Sequence, residues 1–297
     1  MNNLTLRQLR YFQALAQHGH FGHAAAMCSI SQPAMSVQIR ELEENLGVTL
    51  FERSARKVRL TPFGDELAVR VRDILGAVDE LGELARATAG KVPDRLRIGI
   101  IPTVAPYLLP AMVTALTRLN PALDLHVRET QTTGLLRALE QGALDAAVVA
   151  LPVSHPAFTE VALCEEDFVL VRPAADADKP VPDGETLRRM RLLLLEEGHC
   201  FRDQALAFCA APANMPRDGL DGSSLTTLVQ MVGAGIGVTL IPEMAIGLET
   251  GSAPVSVSRF GHPAPKRTIG LIWRRTNPLA TQLHTIAEVL GSVSRRD

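Results

Sequence analysis

The sequence predicts an α/β protein that carries an all-α domain at its N-terminus. Residues 5–46 repeat apolar side chains at helical spacing, whereas strand-like and helix-like segments alternate from residue 95 onward. One long amphipathic segment separates the two patterns. We therefore expect an N-terminal domain over residues 1–61, a linker helix and hinge over residues 62–93, and a two-lobed α/β domain over residues 94–297.

Composition indicates a globular protein of the cytoplasm. Of the 297 residues, 46% are hydrophobic, which is enough to fill more than one core. No apolar run approaches the length of a membrane span, and residues 1–10 are polar where a secretory signal needs an apolar segment. Because the cytoplasm keeps thiols reduced, the four cysteines are not expected to form a structural disulfide framework.

Charge is distributed unevenly along the chain. The net charge is −2, but residues 1–62 hold seven Lys and Arg against four Asp and Glu, so this part carries +3 and the remainder −5. A small basic domain on an acidic body suggests a domain that binds a polyanion. Chance clustering of charge on a solvated surface stays open at this point.

The N-terminal domain is predicted to contain three helices and a hairpin. Two helices cover residues 5–17 and 21–28, and Ser31 caps a third that has Pro33 in its first turn. The outer face of the third helix carries side chains that hydrogen-bond base edges or phosphates, namely Gln32, Ser36 and Arg40. Residues 48–61 follow as two strands around a basic tip, Arg53-Ser54-Ala55-Arg56-Lys57.

This order of elements is that of a winged helix-turn-helix, and its residues resemble a known family. The run AAAMCSISQPAMSVQIRELEENLGVTLFERSARKVRLTPFG is similar to the N-terminal signature of LysR-type transcriptional regulators. The resemblance implies a domain that binds promoter DNA, and it makes RNA polymerase a further candidate partner. It implies major-groove contacts from Gln32, Pro33 and Ser36, and wing contacts from Arg53 with Arg56 or Lys57.

Residues 62–89 are predicted to form one long helix with an apolar seam. Thr61 and Pro62 begin it, and the seam steps alternately by four and three residues through Leu67, Val71, Ile74, Val78, Leu81 and Ala85. Such a seam needs a partner helix. We expect the same helix of a second chain to supply it, which makes the protein a homo-oligomer, either a dimer or a tetramer. A core helix of a larger domain is the alternative.

The body shows the strand–helix alternation of a parallel sheet. Strands and helices alternate through residues 96–151, and a second set covers residues 168–241. A strand at 268–273 and a helix at 278–290 are expected to return to the first lobe. Two such lobes enclose a cleft that binds a small ligand. The effector domain of the LysR family, which is periplasmic-binding-protein-like, is similar.

Cys200 lies where a predicted strand, Leu192–Leu195, gives way to a helix. A thiol near a helix N-terminus, beside His199 and two residues before Arg202, has three local reasons to ionise more readily. Peroxide oxidises the thiolate, and Cys209 is the nearest thiol to trap the product. If residues 200–209 are helical, the two Cα atoms lie about 13 Å apart, and a disulfide would require unwinding. Simple apolar packing of both cysteines is the alternative.

The segment GHCFRDQALAFC resembles the redox segment of the peroxide-sensing OxyR branch of the LysR family, and IGIIPTVAPYLLP and PKRTIGLIWR are also similar to that branch. The resemblance implies a hydrogen-peroxide sensor switched by a reversible disulfide between Cys200, the peroxidatic thiol, and Cys209, the resolving thiol. It implies a peroxide pocket and no cofactor. The pocket residues would be Thr103, Thr132, His199, Asp203 and Arg267.

The remaining cysteines and histidines are not expected to bind a metal. Cys28 and Cys164 fall at positions typical of packing, and His18, His20 and His23 lack a carboxylate or thiol at matching geometry.

Three other functions compete with the peroxide sensor. The first is a regulator with a small organic inducer in the cleft and structural cysteines. The second is a thiol peroxidase with a DNA-binding domain, although nothing in the sequence resembles a peroxidase fold. The third is a secreted solute-binding protein, against which the polar N-terminus argues. We therefore predict a regulator and not an enzyme.

Overall fold

The computed structural model describes residues 4–53, 58–87, 93–208, 222–261 and 263–294. The chain divides into two compact units, Met1–Ala85 and Arg86–Asp297.

The first unit contains the three predicted helices, α1 Leu6–His18, α2 Phe21–Met27 and α3 Gln32–Leu46. Thr5 forms a capping box with Gln8 at the start of α1, and the Ser31 hydroxyl accepts a hydrogen bond from the Ala34 amide at the start of α3. The hairpin follows as β1 Phe51–Arg53 and β2 Val58–Leu60, which pair antiparallel. These elements confirm the predicted winged helix-turn-helix.

Helix α4 spans Pro62–Ala87. Some of its apolar side chains are buried in the N-terminal domain, and others are exposed. Val71 and Leu75 are buried in the core of the N-terminal domain, against which Leu67 also packs. Ile74 and Leu81 are exposed. The prediction that the seam faces a second chain is therefore wrong for Leu67 and Val71, because the domain needs these side chains to close its own core, whereas Ile74 and Leu81 stay exposed.

The second unit is built on one mixed sheet. Its elements are β3 Arg95–Ile100, α5 Ala105–Leu119, β4 Asp124–Glu129, α6 Thr132–Glu140, β5 Ala146–Leu151, β6 Phe158–Pro173, α7 Gly184–Arg189, α8 Cys200–Phe208, α9 Leu225–Gly233, β7 Thr239–Pro242, α10 Ile246–Glu249, β8 Val255–Arg259, β9 Lys266–Arg274 and α11 Ala280–Ser294. The strand order is β4-β3-β5-β9-β6-β7, with β8 also paired to β6.

Strand β6 runs through both lobes. Its residues 158–167 pair with β9, and its residues 168–173 pair with β7 and β8. Each lobe has its own apolar core: β3, β5, β9, α5 and α11 contribute to the first, and α8, α9 and the end of β6 to the second. The ligand site therefore has to lie where β6 passes from one core to the other.

The structure corrects two predictions for the body and adds two elements that were not predicted. β3 is parallel to β4 and β5, but β9 and β6 run antiparallel, so the sheet is mixed. Residues 192–195 make two isolated bridges, to Val238 and Gly222, and no strand. The sequence also gave no expectation of α7 or β8. In the part of the chain that the structure describes, no helix combines the length and apolarity required to cross a membrane.

Gly270 tests the packing of β9 between its two neighbours. A Cβ there would overlap the Leu151 side chain and the carbonyl oxygen of Val161. We expect Gly270→Ala to lower the free energy of unfolding by about 1–3 kcal/mol, as overpacking of a core does. Urea unfolding measures this change in free energy. The matched control is Gly247→Ala, because a Cβ at this helical position meets open space and should leave stability unchanged or slightly higher.

Candidate functional site

Cys200 is the first residue of α8 and lies between the two cores. Its half-buried side chain packs against the core of the first lobe, whereas Phe201, Ala205 and Leu206 of the same helix are buried in the core of the second. Gly198 turns the chain into the helix with a φ of +93°, and a Cβ at this position would collide with the Gln131 side chain. The turn therefore fixes Cys200 against the first lobe.

A small cavity adjoins Cys200. The empty space inside it is about 170 Å³ including open solvent, and a water-sized molecule enters it only if the surrounding side chains move. Eight residues line it: Ile101, Pro102, Thr103, Gln131, Thr132, Gly198, His199 and Cys200. The structure thus brings together four of the predicted residues, Thr103, Thr132, His199 and Cys200.

Two helices begin at this cavity. Thr132 is the first residue of α6 and Cys200 is the first residue of α8, and each helix is nine residues long. Helix N-termini carry partial positive charge and unpaired amide groups, so both favour an anion between them.

The cavity presents hydroxyl groups with unused hydrogen-bonding capacity. The Thr132 Oγ1 is buried and has no partner among the residues described. The Thr103 Oγ1 accepts a hydrogen bond from Arg267 Nη1 at 2.9 Å, so its own proton remains available for donation. Gln204, one turn after Cys200, likewise has a buried Oε1 without a partner in the described structure. These groups suit a small molecule that both donates and accepts hydrogen bonds.

Arg267 acts behind the cavity. It does not line the space, and its side chain is fully buried. Its Nε donates to Glu166 Oε1 at 2.6 Å, its Nη2 donates to the Thr103 carbonyl oxygen at 3.0 Å, and its Cζ lies 5.5 Å from the centroid of the Phe201 ring. Arg267 therefore holds Thr103 in place and contacts the residue next to Cys200.

His199 is buried, and burial lowers the pKa of its imidazole, although the charge of Glu196 opposes this change. The ring is therefore neutral at neutral pH, which differs from the expected cationic partner for the thiolate.

The Arg202 guanidinium donates to the Leu195 carbonyl oxygen at 2.8 Å and so orders the loop before α8. The N-terminus of α8 remains as the local positive charge next to Cys200.

Two predicted site residues are not brought into this group. Asp203 is exposed on the first turn of α8 and does not line the cavity, which matches the solvated carboxylate that the sequence left open. Cys209 lies outside the described residues. Sequence reasoning missed Gln131, Gln204 and Glu166. A glutamine at the start of a helix gives no local signal, and Glu166 is 101 residues away from its partner.

Cys28 and Cys164 have half-buried side chains that pack against cores. Burial raises the pKa of Cys28, which lowers its thiolate fraction. Within the described ranges, no group of three or more His, Cys, Asp or Glu side chains is arranged to hold a metal ion.

The candidate DNA interface is the outer face of α3. Gln32, Pro33 and Arg40 are exposed there and Ser36 is half-buried, whereas Met35, Ile39 and Leu42 are buried on the opposite face. The backbone of Arg53 ends β1, and its side chain, like residues Arg56 and Lys57, lies outside what the structure describes.

Comparison with known families agrees with both units. Residues 6–65 match the bacterial regulatory helix-turn-helix protein, lysR family, and residues 89–295 match the LysR substrate binding domain. A probable hydrogen peroxide-inducible genes activator from Streptomyces viridosporus is 43% identical over 98% of this chain and 95% of its own length. The DNA-binding transcriptional dual regulator OxyR of Escherichia coli K12 is 40% identical, with 97% and 95% covered. The chain belongs to the OxyR branch of the LysR family.

Solved OxyR structures share its fold. A full-length OxyR variant from Pseudomonas aeruginosa has a TM-score of 0.74 at 36% identity and covers 97% of this chain and 95% of its own. A hydrogen-peroxide-bound OxyR variant from Corynebacterium glutamicum has a TM-score of 0.68 at 37% identity, with 98% and 92% covered. The predicted fold class, a winged helix-turn-helix followed by an α/β regulatory domain, is confirmed.

The buried His199 gives this OxyR-branch protein a pH-dependent stability. Because its pKa is lowered in the folded state, its contribution is fully present above the ordinary value of about 6.5 and is lost as pH falls through the folded value. We expect the free energy of unfolding of wild type to fall more between pH 7.5 and 5 than that of His199→Gln. Urea unfolding at each pH measures the difference, and parallel curves for the two proteins would contradict it.

Proposed function

We propose that this protein is a hydrogen-peroxide-sensing transcriptional regulator in which peroxide oxidises Cys200. One observation carries the proposal. A half-buried thiol, a buried threonine hydroxyl without a partner and a second hydroxyl with a free proton line the same small cavity. Peroxide has two oxygens that each donate and accept hydrogen bonds, so it fits this set. The relatives named hydrogen peroxide-inducible genes activators support the same function.

The oxidation is a displacement at oxygen. The Cys200 thiolate attacks the nearer peroxide oxygen, an S–O bond forms, the O–O bond breaks, and the leaving hydroxide takes a proton to become water. Sulfur is oxidised and peroxide is reduced, which leaves a sulfenic acid. Thr103 donates a hydrogen bond to the oxygen that leaves, and the proton that converts this oxygen to water comes from solvent.

The second step forms the disulfide. The Cys209 thiol displaces the sulfenic hydroxyl, an S–S bond forms and water leaves. Helix α8 extends to Phe208, whose Cα lies about 12 Å from that of Cys200 at eight residues of helical rise. One further residue spans only about 3.8 Å, and a disulfide needs the Cα atoms within about 7 Å. A Cys200–Cys209 bond therefore requires part of α8 to unwind, so the bond is a conformational switch.

The size of the cavity argues against an organic inducer at this place. Sites for such ligands enclose about 300–1,000 Å³, whereas the space next to Cys200 admits not even a water-sized molecule unless side chains move, so an organic inducer would need a far larger rearrangement than peroxide. A thiol peroxidase is also disfavoured, because a helix that must unwind between oxidation steps suits a switch better than rapid turnover. We propose that Cys200 reacts once per signal.

The N-terminal domain would carry the signal to promoter DNA in the cytoplasm. The polar outer face of α3 supports major-groove contacts by Gln32, Pro33, Ser36 and Arg40, and we keep Arg53, Arg56 and Lys57 as proposed wing contacts. The exposed Ile74 and Leu81 of α4 support pairing with a second chain, as a dimer or a tetramer. Residues 1–61, 62–93 and 94–297 are the proposed domains, and RNA polymerase is a proposed partner.

Thiol-state mass spectrometry after substoichiometric peroxide tests the switch. In wild type we expect a rapid Cys200–Cys209 disulfide, and in Cys209→Ser a sulfenic acid at Cys200 that dimedone traps. Cys200→Ser should form neither product. Cys28 and Cys164 serve as internal controls and should stay reduced. Oxidation of all four thiols at similar slow rates would overturn the proposal and leave an inducer-binding regulator.

Gln32 and Gln38 provide a matched pair on α3 for the DNA interface. Gln32 is exposed on the proposed contact face, whereas Gln38 hydrogen-bonds Glu41 on another face of the helix. We expect Gln32→Ala to weaken binding of a DNA fragment selected by wild type from a random pool by about 1–3 kcal/mol, and Gln38→Ala to leave it nearly unchanged. Equal affinities of both variants in an electrophoretic shift titration would show that this face does not bind DNA.

A further inference from the structure

Glu166 is a buried carboxylate at the centre of the regulatory domain. It lies on β6 directly opposite Arg267 on β9, and 7% of its side chain is exposed. Its neighbours Glu165 and Lys266 pair on the other face of the same two strands, where 60% and 57% of their side chains are exposed. The strand register therefore creates one solvated ion pair and one buried ion pair side by side.

The two oxygens of Glu166 bind different lobes. Oε1 lies 2.6 Å from both Nε and Nη2 of Arg267, and Oε2 accepts a hydrogen bond from the Met244 amide at 3.4 Å. Arg267 in turn donates to both the hydroxyl and the carbonyl oxygen of Thr103. Glu166 reaches the cavity only through these contacts, since it does not line it.

We propose that Glu166 is a positioning residue for the peroxide reaction: it holds the Arg267 guanidinium against Thr103 and neutralises that guanidinium beside the cavity. The inference rests on the proposed function. Because Arg267 occupies the acceptor site of the Thr103 hydroxyl, the position of the guanidinium determines where Thr103 aims its proton. Because the carboxylate neutralises the guanidinium, Glu166 also sets the net charge of the buried ion pair beside the cavity.

The other titratable groups near the Glu166–Arg267 pair do not neutralise the guanidinium, so Glu166 alone among them does so. Tyr107 donates to Glu249 at 2.6 Å, and burial with this bond raises its pKa, so it stays neutral. Glu243 faces Glu166 but is paired with Arg259 at 2.6 Å. Burial raises the pKa of Glu166, and the guanidinium opposes this rise and favours the ionised form.

Two substitutions of Glu166 separate its role in positioning Arg267 from its role in neutralising the guanidinium. Glu166→Asp keeps the charge but shortens the reach by one methylene, and Glu166→Gln keeps the reach but removes the charge. Glu165→Gln is the matched control, because it removes the neighbouring carboxylate on the exposed face. Each full-length protein is treated with hydrogen peroxide and, separately, with iodoacetamide across a pH series. The rate is read on the Cys200 peptide by mass spectrometry, and iodoacetamide reports thiolate formation without any peroxide oxygen for Thr103 to bind.

For Glu166→Asp we expect the limiting rate with peroxide to fall at least about tenfold, while the rate with iodoacetamide stays within about twofold of wild type. For Glu166→Gln we expect the pH of half-maximal rate to fall by about one unit with both reagents, because the guanidinium is no longer neutralised. Glu165→Gln should match wild type in both assays. If Glu166→Gln unfolds, the double variant Glu166→Gln with Arg267→Gln is used, because neither side chain of the pair is then charged. Its half-maximal pH with iodoacetamide should return to the wild-type value.

Three results would overturn the proposal. Folded Glu166 variants with wild-type rates and half-maximal pH values would make Glu166 structural only. An equal loss with both reagents in Glu166→Asp would indicate altered access to Cys200 and not positioning of Thr103. Wild-type Cys200 that reacts with iodoacetamide but not with peroxide would overturn the proposed function and the positioning role with it, while the half-maximal pH of alkylation would still decide the role of the charge.

Discussion

Glu166 and Arg267 face each other across β6 and β9, and the register of these two strands controls the whole regulatory domain. Strand β6 contributes to both cores, and β9 links it to the parallel strands of the first lobe. A slip of one residue would place Glu166 and Arg267 on the solvated face and bury the exposed pair Glu165 and Lys266 in their stead. Burying the wrong charges is costly, so the register is strongly specified.

The register of β6 and β9 positions Arg267, which contacts the residues of the site. Arg267 reaches Thr103 in the segment between β3 and α5, and its guanidinium lies near the Phe201 ring at the start of α8. Cys200 packs on one core and the remainder of α8 on the other, so any change in the helix alters contacts in both lobes. Tyr107 and Glu249 add a second hydrogen bond between the lobes. Chemistry at one sulfur atom is thereby connected to the arrangement of the domain.

Local features were predictable from sequence, and long-range ones were not. Ser31, Thr5 and Pro33 define helix starts through local hydrogen bonds, and α9 occupies Leu225–Gly233 as its periodicity predicted. The length of β6 was missed, because Glu160, Glu165, Glu166 and Asp167 break its apolar pattern. Lys266 and Arg267 of β9 pair with Glu165 and Glu166, whereas the Val153 and Ser154 amides donate to Glu160. The pocket residues Thr103, Thr132 and His199 were named through family resemblance. Their common cavity depends on contacts between distant segments, which no local pattern encodes.

The energetics of α8 bear on the conformation that this segment adopts after oxidation. A helix of nine residues is marginal alone, so its stability comes from burying Phe201, Ala205 and Leu206. Full exposure of Phe201 and Leu206 would cost about 3–6 kcal/mol, at about 1.5–3 kcal/mol for each side chain. A disulfide typically contributes about 2–4 kcal/mol to stability. A switch that only melted the helix would therefore cost as much as the bond contributes. An oxidised segment that buried these side chains again would recover this loss of stability, and oxidation would then be a change between two packed arrangements.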